Sequence, residues 1–255
     1  MSARPDTLAS ATQYDAIAAQ YRQSKQAPLR RYVEAWSFLR WLGSLRGLRI
    51  LDLACGEGHY SRMLRDAGAA SVLGVDISPA MIDLAIASGV HAGLSYRVGD
   101  ARELPPLGPF DLVAAAYLLH YARDVGELRQ MCLGIARQLP PGGRFVTLNE
   151  NPEQSEERYR GYLAYGFSKS VVSPRREGTP ISYAMVSGRE FFRFEIYHFE
   201  RSTYEDALAT AGFVDIRWHD LELDPAGIEA CGADYWMEYL ENPPVVGLSC
   251  RRAGA

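Results

Sequence analysis

The apolar positions change period along the chain. Tyr14, Ile17, Ala18 and Tyr21 fall at i, i+3, i+4, i+7, one face of a helix, and a second helix is expected after Pro28 with Val33, Trp36 and Leu39 turned inward. From Leu48 onward short apolar runs alternate with helical stretches. LRILDLA (48–54), SVLGVD (71–76), LSYRVGD (94–100), FDLVAAA (110–116) and RFVTLNE (144–150) read as buried strands. Between them, one helix carries Tyr60, Met63, Leu64 and Ala67 and stops at Gly68. Another is N-capped by Ser78 with Pro79 in its first turn and ends near Gly89. A longer one repeats Val125, Leu128, Cys132, Ile135 and Leu139 on one stripe. Ser202 and Glu205 have capping-box spacing for a helix ending at Gly212, and FVDIRWHDLEL (213–223) and VVGLSCRR (245–252) supply two last strands.

Strands spaced this regularly by helices predict a doubly wound α/β fold, a seven-stranded, mostly parallel Rossmann-like sheet. After Glu150 the alternation breaks into a stretch rich in Tyr, Phe and Arg. TPISYAMVSG (179–188) and FFRFEIYHF (191–199) predict an antiparallel hairpin lying over the sheet edge. The expected organisation is therefore an N-terminal helical lid (1–47), a nucleotide-binding core (48–150), an inserted substrate cap (151–200) and a completion of the sheet (201–255).

Composition narrows the class. With 47% hydrophobic and 23% charged residues the chain can bury a sizeable core. The net charge of −4 argues against general nucleic-acid binding, which needs a basic face. The pairs Arg30-Arg31 and Arg175-Arg176 read as solvated surface. Cys55, Cys132, Cys231 and Cys250 have no CxxC spacing, and the five histidines have no paired ligand spacing, so no metal site is expected. No apolar run approaches the ~20 residues that span a bilayer. The opening MSARPDTLAS lacks the apolar stretch of a signal peptide, so the cytoplasm is the expected location.

The chemistry starts at Asp52-Leu53-Ala54-Cys55-Gly56-Glu57-Gly58. A strand that runs into a glycine turn and then a helix lets backbone approach a ligand closely, and the helix N-terminus adds free N–H groups. Asp76 closes the second strand, where a carboxylate can accept from both hydroxyls of a ribose. Asp100 closes the third strand, where an acid can bind an adenine amino group. Ser61 stands in place of the third glycine of a G-x-G-x-x-G fingerprint, which counts against a nicotinamide enzyme.

Taken in order, LDLACGEG, GVDIS, VGDA, FDLV and LPPGGRF resemble the successive motifs of class I S-adenosylmethionine-dependent methyltransferases. The likeness spans roughly Tyr14 to Glu150. YDAIAAQY at 14–21, Asp234-Tyr235-Trp236 and the VVGLSC strand more particularly resemble the toxoflavin N-methyltransferase subgroup. The resemblance implies S-adenosylmethionine as cofactor, with Asp52 and Gly56 facing its methionine part. Asp76 would bind the ribose, Ile77 would pack on the adenine, and Asp100 with the Ala101 amide would read the adenine edge. Ala54 (where many relatives have glycine), Cys55, Gly58, Met81 and Ala116 would complete that site.

The methyl acceptor is expected beyond the fourth strand. There Tyr117 would orient it and His120 would assist deprotonation, with Tyr121 alongside. Tyr14 and Tyr21 could close over the cofactor, Tyr14 reaching the reacting centre. Tyr183, Phe192, Tyr197, His198 and Trp236 would wall an aromatic or heterocyclic small molecule. The sequence leaves open a nitrogen, oxygen or carbon acceptor and the oligomeric state. Different chemistry with the same cofactor, or a non-catalytic cofactor-binding module, are the competing readings.

Overall fold

The computed structural model describes residues 27–172, 174–187 and 190–254. Tyr14 and Tyr21 lie outside them. The first described helix runs as a π-helical stretch, Arg30–Ala35, into α1, Trp36–Leu42. Its buried positions are Val33, Glu34, Ala35, Ser37, Phe38 and Leu42, so Trp36 and Leu39 sit at the margin of the packed face and not at its centre. The wider π turn shifts the inward face away from the one that ordinary helical spacing predicts.

The core alternates as expected: β1 (Arg49–Leu53), α2 (His59–Asp66), β2 (Ser71–Asp76), α3 (Pro79–Ala87), β3 (Leu94–Val98), β4 (Leu112–Ala116), α4 (Val125–Ala136) and β5 (Arg144–Glu150). After the cap come α5 (Arg201–Thr210), β9 (Phe213–His219), two short helices α6 (Pro225–Cys231) and α7 (Met237–Glu241), and β10 (Val245–Arg252). The seven strands take the order β3-β2-β1-β4-β5-β10-β9. β10 is antiparallel to both β5 and β9, and the other pairings are parallel. All five residues of β4 are buried, as befits a central strand covered on both faces. The order reverses between β1 and β4. In open sheets of this kind, ligands bind in the crevice outside the carboxyl ends of the strands at such a reversal.

Ser78 caps α3 as expected, its hydroxyl accepting from the Met81 amide at 3.1 Å. The Ser202–Glu205 capping box is not formed. α5 starts two residues earlier, with Glu200 in place of Ser202 as N-cap and no side-chain cap. Glu205 instead accepts from Trp218 Nε1 at 2.8 Å and pairs with Arg201.

The cap is a three-stranded antiparallel sheet of β6 (Phe167–Val171), β7 (Pro180–Ser187) and β8 (Glu190–Tyr197), in which β7 and β8 form the expected antiparallel pair and β6 adds a third strand. Its inner face alternates along each strand, through Phe167 and Lys169, Ile181, Tyr183 and Met185, and Phe192, Phe194 and Ile196. Tyr162, Phe167, Tyr183 and Phe194 stack in series, with ring centroids 5.0, 5.9 and 5.1 Å apart. No helix among the described residues is long and apolar enough to cross a membrane.

Candidate active site

At the β1/β4 reversal lies a cleft of about 780 Å³, open to solvent and within the size range of cofactor sites. The turn after β1 forms its floor. Ala54 and Gly56 take positive φ values of 54° and 55°, which lift the backbone out of the strand direction. A Cβ added to Gly56 would meet nothing within 4 Å, so this turn presents bare backbone to open space. The Gly56 amide donates to Asp76 Oδ2 at 2.8 Å, and the Ser78 amide donates to Oδ1 at 2.9 Å. These bonds orient the Asp76 carboxylate at the cleft edge. Ile77, Met81, Leu118 and Met131 give apolar walls suited to a flat ring.

Asp100 and Ala101 also line the cleft. Asp100 is braced by Arg102, whose guanidinium lies 2.7 Å from Oδ2 and reaches Glu127 at 3.3 Å. Arg102 itself faces the cleft, a contribution that the sequence patterns do not single out.

A second cavity of about 450 Å³ adjoins the first, and Tyr117 and Tyr121 line both. The cap supplies apolar walls here: Phe167, Met185, Phe194 and Ile196, with Tyr183. The sheet and the first helix supply a polar side of Arg30, Glu34, His120 and Glu150. Tyr117, at φ 72°, is a non-glycine residue in the left-handed region at the end of β4. Its hydroxyl donates to Glu34 and accepts from Arg30, while Tyr239 donates to the other Glu34 oxygen at 2.9 Å. Burial pushes the Tyr117 phenol well above its ordinary range, so it stays protonated.

His120 is 2% exposed, with Nδ1 2.9 Å from Asn149 Oδ1 and 3.1 Å from the Glu150 amide nitrogen. Burial lowers its pKa to about 4, so the imidazole is neutral near pH 7. Beneath the cavity, Lys169 is fully buried and pairs with Glu150 and Gln154. The Tyr183 hydroxyl donates to the other Glu150 oxygen at 2.7 Å. Burial lowers the Lys169 pKa to about 8.

A methyltransferase-domain family model matches residues 50–143, the stretch that builds the cleft. Among curated proteins, the chain is 28% identical over 179 residues to N-demethylindolmycin N-methyltransferase of Streptomyces griseus, covering 69% of this chain and 74% of that one. It is 29% identical over 224 residues to a ubiquinone/menaquinone biosynthesis C-methyltransferase of Desulfotalea psychrophila, covering 84% and 86%. A crystal structure of an S-adenosylmethionine-dependent methyltransferase from Mesorhizobium loti superposes with TM-score 0.63 at 26% identity, covering 90% of this chain and all of that one. Residues 50–143 of the chain are a methyltransferase domain, and the chain is similar to S-adenosylmethionine-dependent methyltransferases over most of its length. Its cofactor is S-adenosylmethionine.

The methyltransferase brings Ala54, Gly56, Asp76, Ile77, Met81, Asp100, Ala101, Ala116 and Tyr117 together around the cleft. Three positions expected there do not line it. Asp52 shares the β1 face of Ile50 and turns under α2, where Ser61 donates to it at 2.5 Å. Cys55 is buried, with its thiol pushed up by burial. Gly58 lies against Tyr96, where an added Cβ would come within 2.4 Å of the ring hydroxyl.

In the second cavity, His120, Tyr121 and Tyr183 take their expected places, and four other residues do not. Phe192 packs behind Phe194, their centroids 6.4 Å apart. Tyr197 joins the core beneath the sheet. His198 is buried at the far end of β8, 3.4 Å from Glu200. Trp236 is 1% exposed and donates to the Gly227 carbonyl at 2.9 Å, completing the core. The two Arg pairs also divide. Arg30 and Arg175 are largely buried and paired with Glu34 and Glu156, whereas Arg31 and Arg176 are exposed.

Proposed function

We propose that the methyltransferase methylates a nitrogen or oxygen, with carbon a third option, of an aromatic or heterocyclic small molecule of bacterial secondary metabolism by in-line displacement. The observation that carries this reading is the shared wall. Tyr117 and Tyr121 belong to both cavities, so a molecule held against the aromatic cap faces directly into the cofactor cleft. S-adenosylmethionine, when bound, supplies an activated methyl group on its sulfonium, so the protein needs no covalent nucleophile of its own. What remains is positioning in a site that excludes water, worth on the order of 7–11 kcal/mol of the barrier.

The residues suit that task. Asp76 would hold the ribose, Ile77 and Met81 the adenine, and Asp100 with the Ala101 amide the adenine edge. Tyr117, locked by Glu34 and Arg30, orients the acceptor as a neutral phenol. His120 lines the same cavity as a neutral imidazole, placed beside an N–H or O–H about to be methylated. The Streptomyces griseus relative, named for an N-methylation, supports a nitrogen acceptor. The Desulfotalea psychrophila relative, named for a C-methylation, keeps carbon in the set.

The test is transfer of labelled methyl from S-adenosylmethionine to a panel of indoles, other nitrogen heterocycles, phenols and quinol-type rings. Transfer to at least one ring class, lost when Phe194 is changed to Asp, supports the proposal. Tight cofactor binding with no transfer across the panel would replace it with the non-catalytic module or with other chemistry on the same cofactor.

A further inference from the structure

The inner face of the cap is apolar along all three strands except at Lys169, which is fully buried. Its ammonium meets Glu150, itself 2% exposed, at the carboxyl end of β5. Such a pair does not stabilise the fold over an apolar one. Removing two charges from water costs several kcal/mol each, and replacing a buried pair by apolar side chains of similar volume is often neutral or favourable. The pair also stands where two elements meet, since Lys169 belongs to the cap and Glu150 to the sheet. Glu150 lines the acceptor cavity opposite aromatic and aliphatic walls.

The oxygen atoms of Glu150 are held but not saturated. Oε1 receives Lys169 and Oε2 receives the Tyr183 hydroxyl, one donor each, while a carboxylate offers about four lone-pair sites. Glu34, the other carboxylate of the cavity, already receives three: Arg30, Tyr117 and Tyr239. A carboxylate is a pure acceptor, so the cavity floor lacks a complement until a donor arrives. Lys169 balances its charge from beneath, so no cation is required of the incoming molecule.

Building on the function proposed above, we infer that Glu150 is the positioning residue for the methyl acceptor, receiving a ring-borne N–H or O–H of an apolar molecule that carries no carboxylate or phosphate. Lys169 and Tyr183 fix the carboxylate, and the stacked rings of Phe167, Tyr183 and Phe194 hold the flat body of the acceptor. An anionic ring would meet two carboxylates and is excluded.

The test uses matched probes on the full chain saturated with S-adenosylhomocysteine, followed by ligand-observed NMR: indole against N-methylindole, phenol against anisole, and benzoate. In the wild type the donor of at least one pair binds about tenfold or more tighter than its methylated partner, the range of a hydrogen bond to a charged group, and benzoate does not bind. The indole pair reports a nitrogen acceptor and the phenol pair an oxygen acceptor.

The double variant Glu150→Met with Lys169→Met removes both charges together and keeps the volume. It should bind the two members of each pair equally, with unchanged affinity for S-adenosylhomocysteine. A merely structural role would weaken both members alike and preserve their ratio. Equal binding within both pairs by the wild type, benzoate binding, or no binding of any donor at millimolar concentration would overturn the inference. Those outcomes leave cofactor binding intact, whereas failure of the methyltransfer reading shows as absent transfer with donor selectivity retained.

Discussion

The Gly56 amide donates to Asp76 Oδ2 at 2.8 Å, which fastens the turn after β1 to the end of β2. One carboxylate thus shapes the cleft floor and lines the cleft itself. Asp76→Ala removes the acceptor for both the Gly56 and Ser78 amides. It should cost about 1–3 kcal/mol of unfolding free energy, while Asp76→Asn, which keeps one acceptor oxygen, should lose less. Urea denaturation of the three proteins measures the difference.

Ala54 holds φ 54°, a region that costs a non-glycine residue about 1–2 kcal/mol. Glycine relieves that strain but adds freedom to the unfolded chain. Ala54→Gly should therefore be neutral or stabilising by about 1 kcal/mol. Ala54→Val should destabilise and weaken cofactor affinity, because its branched side chain tolerates this conformation poorly. Thermal melts with and without S-adenosylhomocysteine separate the two effects.

Most of the sheet was legible because buried parallel strands and the turns between them leave local signals: LRILDLA, SVLGVD and PPGG each mark a strand or its boundary. The lining of the cleft at the β1/β4 reversal was legible for the same reason, since Asp76 closes β2 and Asp100 closely follows β3. The acceptor side was not. Glu150 closes the RFVTLNE strand just as Asp76 closes its own, and that position was the available signal. Glu34 and Arg30 form an i, i+4 pair of the kind that normally faces solvent; only the folded chain shows it buried beneath Tyr117. β6 was missed because FSKSV, with a lysine at its centre, has no apolar run. Tyr197, His198 and Trp236 were misplaced because which way a strand or a terminal turn faces is decided by packing across the molecule.

His120 gives a pH dependence with a definite sign. Its folded pKa, about 4, lies below the ordinary 6.5, so below pH 6.5 the unfolded chain takes up a proton that the folded chain refuses. Stability should fall by about 3 kcal/mol from this group as pH drops from 6.5 to 4, with no contribution above 6.5. His120→Gln should lack that slope. In the same way kcat/KM should show no limb near pH 6.5 that depends on His120.

The Lys169–Glu150 pair allows a stability cycle. Lys169→Met alone strands a buried carboxylate and should cost about 3–5 kcal/mol, whereas the double Met variant should return close to wild type. Equilibrium denaturation of single and double variants checks this. A double variant as unstable as the single would mean that the cap depends on the pair for its docking.

The most direct measurement is isothermal titration with S-adenosylhomocysteine of the wild type, Asp76→Ala and Phe194→Ala. The expected result is one site of micromolar affinity, lost in Asp76→Ala and retained in Phe194→Ala, because Asp76 lines the cofactor cleft and Phe194 only the neighbouring cavity. Binding that ignores Asp76, or that disappears with Phe194, would contradict the division of the site into a cofactor cleft at the β1/β4 reversal and an acceptor cavity beneath the cap.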